Sequence, residues 1–459
     1  MPRKTLKSIN DSCLDRNWTI NLYCEDSNLG TFRTVKGMRD FLPEDLAKRK
    51  FVEEKVRECF RLYGYEEIET PTLESFDLIS AKAGDEIRHR MFILNDLSGR
   101  KLALRPEITP SIARIVANKL RTEAKPLKLG YIANCFRYDN PQMGRYREFW
   151  QAGFELFGSN QPIADAEIIS INSDLMKRSG FSDFFIKIGH VGVIRGVLSD
   201  EGVDEADQNR IMGLIDQQKT TKALIIIKKL NVSKNCLNTI KSLFKLKGTN
   251  WKQILLESKR NLQQNNKALT ALENLEEIII LARMGGVETD FFLDLGFTRG
   301  LEYYTGMIFE VFIPNLDISL GGGGRYDKLV KLFGGESMHA VGCAPGIDRI
   351  VLGLERERLF PKKFASFKKI LVIPVNKKLV LKALEVASDL RRNGIVAHNE
   401  VVGRSIGSAL SYANKKSYTS IIIIGPKELE RDCVILRDLL RGTQREVSII
   451  DLFDEITSE

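Results

Sequence analysis

Four arginine-bearing clusters hold the side chains best suited to chemistry. The densest runs from Cys135 to Glu155 and carries Arg137, Arg145, Gln151, Gly153 and Glu155 among aromatic residues. Pro141 and Gly144 break its middle and alternation flanks it, so the pattern predicts strand, loop, strand. A period of two places Gln151, Gly153 and Glu155 on one face of the second strand, and Arg137 on the first can share that sheet. An arginine, an amide and a carboxylate converging over a glycine could hold a phosphate beside a small zwitterion. A surface hairpin with satisfied charges is the plainer reading of the same residues. The second cluster, Arg299-Gly300-Leu301-Glu302-Tyr303-Tyr304-Thr305-Gly306, leads into an apolar strand. The third is Gly321-Gly322-Gly323-Gly324-Arg325-Tyr326-Asp327, whose glycines permit close backbone approach to a ligand. Four glycines alone more often make a flexible turn. The fourth, Gly342-Cys343-Ala344-Pro345-Gly346-Ile347-Asp348-Arg349, opens a helical pattern that could aim Arg349 at an anion; a capped helix start is the bland alternative. Each signal is weak alone, and their coexistence in this order is what matters.

The elements that must position these residues follow from periodicity. Leu46, Phe51, Val52, Val56, Cys59 and Phe60 recur near 3.6 residues, predicting an amphipathic helix over Glu44 to Leu62 that ends at Tyr63-Gly64-Tyr65. Glu66 to Thr70 alternates like a short strand and meets Pro71, tolerated only at a strand edge or end. Further strand-like runs are Lys101 to Leu104, Leu127 to Phe136, Glu148 to Phe157, Phe184 to Ile188, Phe291 to Leu295 and Met307 to Phe312. They do not alternate regularly with helices, so a mostly antiparallel sheet carrying helices, an α+β fold, fits better than a doubly wound parallel sheet. Between about Gly196 and Arg283 one proline-free helical pattern follows another, a helical insertion because strand-rich sequence resumes beyond it. From Pro361 strand and helix alternate: Lys369 to Val375, Leu379 to Arg392, Ile395 to Glu400, Ser405 to Asn414, Ser420 to Gly425. That alternation predicts a small α/β domain with βαβ units. Residues 1 to 31 lack sustained periodicity and read as a loosely ordered extension.

Composition sets the frame. The 459 residues allow about three domains, and 43% hydrophobic with 28% charged residues excludes wholesale disorder and fibrous classes. Lys plus Arg, 69, exceeds Asp plus Glu, 60, giving +9. A polyanionic partner is compatible with that modest field but not required by it. Residues 361–459 hold 17 Lys and Arg against 12 Asp and Glu, so +5 of the excess sits there. The apolar runs Ala223 to Ile227 and Ile421 to Ile424 fall far short of the roughly 18 residues of a membrane span. The N-terminal residues offer no secretory h-region, and the seven scattered cysteines never pair as C-x-x-C. A cytoplasmic protein with reduced thiols is expected. The four dispersed histidines remove metal-hydrolase signatures, so no protein-held metal is expected.

Together the blocks resemble class II aminoacyl-tRNA synthetases, and within them the histidyl-tRNA synthetase family, over nearly all of residues 32 to 459. The strand ending in Pro71 resembles motif 1, Phe136 to Phe157 motif 2, and Gly342 to Glu355 motif 3. Leu104-Arg105-Pro106-Glu107-Ile108-Thr109 resembles the amino-acid-binding segment, and the Arg299 and Gly322 blocks resemble two histidine-specific signatures. The Arg299 block is the most specific, since other class II enzymes lack it. Cys343 and Asp348 depart conservatively from the Phe and Glu more usual in motif 3, and residues 1–31 match nothing in the pattern.

The resemblance implies a class II antiparallel sheet flanked by helices over 32–195 and 284–360, a helical insertion over 196–283, and a C-terminal α/β anticodon-binding domain over 361–459. It implies a histidine–tRNA ligase that uses ATP with Mg2+, acts on the histidine tRNA, and dimerises through the motif 1 region. Arg137 would clamp the α-phosphate, Arg349 the γ-phosphate and Arg145 the outer phosphates. Arg299 would sit between the histidine carboxylate and the α-phosphate. Glu107, Thr109, Gln151, Glu155, Tyr303, Tyr304 and Tyr326 would form the histidine pocket. Two rivals are the histidine-sensing regulatory subunit of ATP phosphoribosyltransferase, which shares the catalytic fold, and a threonyl, prolyl or glycyl synthetase. The first typically lacks the anticodon domain; the second lacks the Arg299 block.

Overall fold

A computed structural model describes residues 32–81, 85–299, 303–361 and 368–457. The expected extension 1–31 and residues Gly300 to Glu302 lie outside the described residues. The chain divides into two compact units, one reaching Gly353 and one beginning at Leu354. No helix among the described residues is long and apolar enough to cross a membrane.

The first unit is built on a nine-stranded sheet. From edge to edge its strands are Glu66–Glu67, Leu127–Phe136, Glu148–Phe157, Ala340–Cys343, Gly321–Arg325, Met307–Phe312, Phe185–His190, Asp290–Asp294 and Lys247–Gly248. The six strands from Leu127–Phe136 to Phe185–His190 pair antiparallel throughout. Alternation sorts the two faces: Phe154 meets the Phe60 ring at 5.0 Å under the helix Pro43–Tyr63, while Gln151 and its same-face neighbours point the other way. That helix begins with Pro43, has Glu44 and Asp45 in its first turn, and stops where Gly64 takes φ 71° and its N–H caps the Phe60 carbonyl. The helix Pro162–Ser179, buried through Ile168, Ile169, Ile171, Leu175 and Met176, packs on the central strands. The sheet is therefore covered on one face and free to carry a site on the other.

Two expectations are modified. The motif 1 strand pairs at Glu66 and Glu67, with the Ile68 N–H still reaching the Gly130 carbonyl at 2.8 Å; further on, Arg105 Nη1 donates to the Thr70 carbonyl at 2.7 Å and to its hydroxyl at 3.2 Å. The glycine run is not a turn: Gly321–Arg325 is a fully buried strand held on both sides, Glu310 opposite Gly322 and Gly342 opposite Gly324.

Between His190 and Asp290, which lies opposite Phe185 on the neighbouring strand, the chain contributes to this sheet the edge strand Lys247–Gly248, paired antiparallel with Asp290–Asp294. The same stretch holds helices Val191–Asp200, Glu205–Asp216, Thr220–Lys229, Lys234–Lys245, Trp251–Asn261 and Asn266–Met284. Side-chain caps start several of them: Asp204 accepts from Asp207 N at 2.7 Å and Ser233 from Cys236 N at 3.1 Å.

The second unit has a five-stranded sheet in the order Val396–Asn399, Lys369–Pro374, Ser420–Ile424, Cys433–Asp438, Gln444–Ser448. The first three are parallel, as βαβ units require. The helix Val380–Arg392 buries Ala383, Val386, Ala387 and Leu390 on one face, and Ile406–Lys415 buries Ala409 and Ala413 on the other. The last two strands pair antiparallel, an addition the alternation pattern did not reveal.

Candidate active site

On the open face of the first sheet lies a cavity of about 810 Å3. Arg137, Arg145, Arg299 and Arg349 all line it, as do Glu107, Thr109, Gln151, Tyr303, Tyr304 and Tyr326. Glu155 sits just behind Thr109 and Tyr326 and is only 1% exposed. Residues as far apart in the chain as Glu107 and Arg349 thus meet because the hairpin, the glycine strand and the helix after Pro345 share one sheet surface.

Arg137, Arg299 and Arg349 each donate to backbone carbonyls. Arg137, just past the first hairpin strand, donates from Nε to the Pro106 carbonyl at 2.9 Å, and its guanidinium lies 5.2 Å from the Phe149 ring. Arg349, in the first turn of the helix Ile347–Arg356, donates to the carbonyls of Ser319 at 2.8 Å and Gly144 at 3.3 Å. Burial, and then the nearby charges of Arg137 and Arg145, pull Arg349 down to about 10. A like-charged group of this kind is relieved by a polyanion. Arg145 is exposed on the hairpin loop, where its backbone closes a tight turn with Gln142. Arg299 donates from Nη1 to the Phe309 carbonyl at 3.2 Å, with Glu310 3.9 Å from Nε. Burial works against the Arg299 charge, but Tyr304 and Glu310 outweigh it and hold the group above its usual value. Its place depends on Gly322: a Cβ there would lie 2.5 Å from Arg299 Nη1 and would overlap the Phe309 carbonyl.

Beside the arginines stand carboxyls in an aromatic cage. Glu155 accepts from Thr109 Oγ1 at 2.7 Å and from the Tyr326 hydroxyl. Burial pushes Glu155 up to about 8 against the opposing effect of those two hydroxyls. Glu107 accepts from the Tyr303 hydroxyl at 3.0 Å; burial raises it while Arg137 and Tyr303 oppose the rise. Tyr303 packs 4.9 Å from Tyr304 and 5.7 Å from Tyr326, centroid to centroid. The Cys135 thiol donates to Gln151 Oε1 at 3.3 Å. Buried carboxyls of this kind call for a cationic, hydrogen-bonding guest. The cavity therefore suits a small ammonium-bearing molecule held next to a polyphosphate.

The histidyl-tRNA synthetase family model matches residues 37–350, and an anticodon binding domain model matches 369–459. The histidine–tRNA ligase of Methanocaldococcus jannaschii is 41% identical over 93% of this chain and 99% of its own length. The chain belongs to the histidyl-tRNA synthetase family. The histidine–tRNA ligase of Pyrococcus furiosus is 38% identical over 92% of this chain and 97% of that relative. A crystal structure described as an ATP phosphoribosyltransferase regulatory subunit/histidyl-tRNA synthetase from Bacillus halodurans aligns at TM-score 0.73 with 30% identity, covering 87% of this chain and 99% of that one. A histidyl-tRNA synthetase structure from a Nostoc species shares the fold at TM-score 0.74 and 24% identity, over 93% and 99%.

In this histidyl-tRNA synthetase family member several residues at the site escaped the sequence reading. Lys187 and Asp294 pair at 3.0 Å on the cavity wall, and Asp216 reaches it from the insertion. A lysine within an otherwise apolar strand was the available signal for Lys187; Asp216 gave none. Gly342 has a steric role, since a Cβ there would overlap Glu155 Oε2. Asp348, the motif 3 departure, accepts from Trp150 N at 2.6 Å and pairs with Arg39, tying the Arg349 helix to the second hairpin strand. Arg325, inside the glycine block, is structural: its Nε donates to Asp165 at 3.0 and 3.1 Å.

Proposed function

We infer that this chain is a histidine–tRNA ligase that first joins histidine to ATP and then passes the histidyl group to the 3′ end of the histidine tRNA. The observation that carries the reading is the make-up of one cavity, lined by four arginines with two buried carboxyls held by tyrosine hydroxyls beside them. A histidine carboxylate oxygen attacks the α-phosphorus, its bond forms as the bond to the β-phosphate bridge breaks, and pyrophosphate leaves. Two anions must approach, so fixed positive charge is the main requirement. Arg299 serves both reacting groups, Arg137 clamps the α-phosphate, and Arg349 and Arg145 take the outer phosphates. Mg2+ arrives with ATP and supplies charge neutralisation on the phosphates.

Glu107, Gln151 and Glu155 receive the polar groups of histidine, with Thr109 and Tyr326 holding Glu155, while Tyr303 and Tyr304 flank the ring. A pocket that pairs both ring nitrogens rejects apolar isosteres by leaving its own polar groups unpaired. The unit from Leu354, which carries most of the basic excess, grips the anticodon, and the insertion 196–283 meets the acceptor stem; phosphate contacts make that affinity salt-dependent. Exposed Leu73, Ile93 and Leu94 on the small sheet beside Pro71 support a homodimer through that face. A cytoplasmic location follows from the role. ATP–pyrophosphate exchange across the twenty amino acids tests the reading. Stimulation by histidine alone is expected; histidine binding without exchange would favour the regulatory-subunit alternative, and stimulation by another amino acid would overturn the specificity.

A further inference from the structure

Arg299 is fixed from two sides that belong to different parts of the chain. Its guanidinium rests on the core sheet through the Phe309 carbonyl. Its backbone is approached from the insertion: the hydroxyl of Thr298, the preceding residue, donates to the Met212 carbonyl at 3.1 Å. Thr298 is 4% exposed and Met212 7% exposed, so this bond is dry. Met212 lies in the last turns of the helix Glu205–Asp216, which Asp204 caps at its start and whose Ile211 and Ile215 are buried. A carbonyl has two lone pairs, so Met212 can accept from Thr298 while keeping its helical partner. The helix then places Ile215 and Asp216 on the wall of the same cavity, and the negative end of its dipole faces that way.

We propose that the insertion helix Glu205–Asp216 is a positioning element for amino-acid activation, and that the Thr298 hydroxyl on the Met212 carbonyl is the contact through which it sets Arg299. This rests on the ligase reading above. Arg299 does its work by geometry, and a displacement of about 1 Å in a group holding reactants in line costs roughly 10²-fold in rate. Thr298 lines the same cavity, but its hydroxyl is engaged by Met212, so the displacement acts on the in-line geometry that Arg299 imposes on the two reacting groups and the larger loss belongs in kcat rather than KM.

The experiment is histidine-dependent ATP–pyrophosphate exchange on the full chain, with KM resolved for histidine and for ATP, comparing Thr298→Val with Thr298→Ser. Valine matches threonine in shape without the hydroxyl, and serine keeps the hydroxyl. Thr298→Val should lose about 10- to 100-fold in kcat with both KM values within about twofold, and Thr298→Ser should stay within about threefold of wild type. Val at the wild-type rate, Val and Ser equally slow, or a loss carried by KM would each overturn the proposal. If the Val protein is insoluble, Thr298→Ala takes its place against Ser, a pair that differs by the hydroxyl alone. Wild-type chain without histidine-dependent exchange would sink the ligase reading and this proposal with it, whereas normal wild-type exchange with an unaffected Val variant sinks only the proposal.

Discussion

Histidine binding should release a proton from Glu155. In the free chain burial pushes this carboxyl up to about 8, so it is protonated at neutral pH. A cationic guest beside it favours the carboxylate, so the group must ionise as the ligand arrives. At pH 7 a group titrating near 8 is about 90% protonated, so about 0.9 proton leaves per histidine bound. The ionised fraction climbs from about 3% at pH 6.5 to about 76% at pH 8.5, which tightens Kd about 25-fold across that window. Calorimetry at pH 7 in buffers of different ionisation enthalpy reads the proton count directly. The Glu155→Gln variant is the reference, because titrations of histidine itself and of the rest of the chain are common to both proteins and cancel. The variant should release close to one proton fewer than wild type and show a flat affinity profile by comparison. Equal proton release by the two proteins would refute the argument that Glu155 is neutral when the pocket is free and ionic when it is filled.

Four other outcomes follow from the same geometry. Arg299→Ala should lower pyrophosphate exchange by about 10² to 10³, the usual cost of removing one preorganised charge donor, and exchange within a few-fold of wild type would remove its assigned role. Gly342→Ala should raise the histidine KM about 10- to 100-fold, because the new methyl displaces the Glu155 carboxyl, and KM measurements with ATP held saturating check it. The Glu155 carboxyl, raised in the folded state above its ordinary 4.5, stabilises the ligand-free chain at acid pH and loses that contribution as pH rises through about 8. Melting curves should therefore fall less steeply with pH in Glu155→Gln than in wild type between pH 6.5 and 8.5. Deleting 361–459 should abolish tRNA charging far more than adenylate formation, and equal loss of both would undercut the division of labour.

Much of the fold was legible because its strands are buried in the manner that sequence displays. Lys101–Leu104, Leu127–Phe136, Glu148–Phe157 and Met307–Phe312 begin and end where alternation placed them. What was not legible has physical reasons. The antiparallel pair Cys433–Asp438 and Gln444–Ser448 carries Arg437, Asp438, Arg445 and Glu446, and only Val434, Leu436 and Val447 are buried, too thin an apolar signal to stand out. The clusters around Arg137, Arg299 and Arg349 pointed to an anion site by their coexistence in one order along the chain, each being weak alone. Asp216 ends an ordinary helix, Lys187 sits in an ordinary strand and Thr298 lies in the connection after Asp290–Asp294, and only the sheet and the insertion bring them to the cavity.

The glycine strand is the case where the plain reading, a flexible turn, gives way to a buried strand on the cavity wall. Glycine in a strand interior costs about 0.5 to 1 kcal/mol relative to alanine, and it is usually excused by a need for positive φ. Gly321 to Gly324 and Gly342 are not among the positive-φ glycines, so their backbone is of a kind any residue adopts. What they provide is room. Gly322 leaves space for the Arg299 guanidinium, Gly342 for the Glu155 carboxyl, and Gly342 lies opposite both Gly324 and Glu155 in register. The floor of the cavity is therefore bare backbone where the Arg299 guanidinium and the Glu155 carboxyl need room. A strand that gave up its side chains for flexibility would sit at an edge or in a loop; this one is buried at the centre of nine. Its cost in local stability is offset by neighbours on both sides, which is why such a run can be rigid, and why its presence beside arginine-led blocks is better evidence for a site than for a turn.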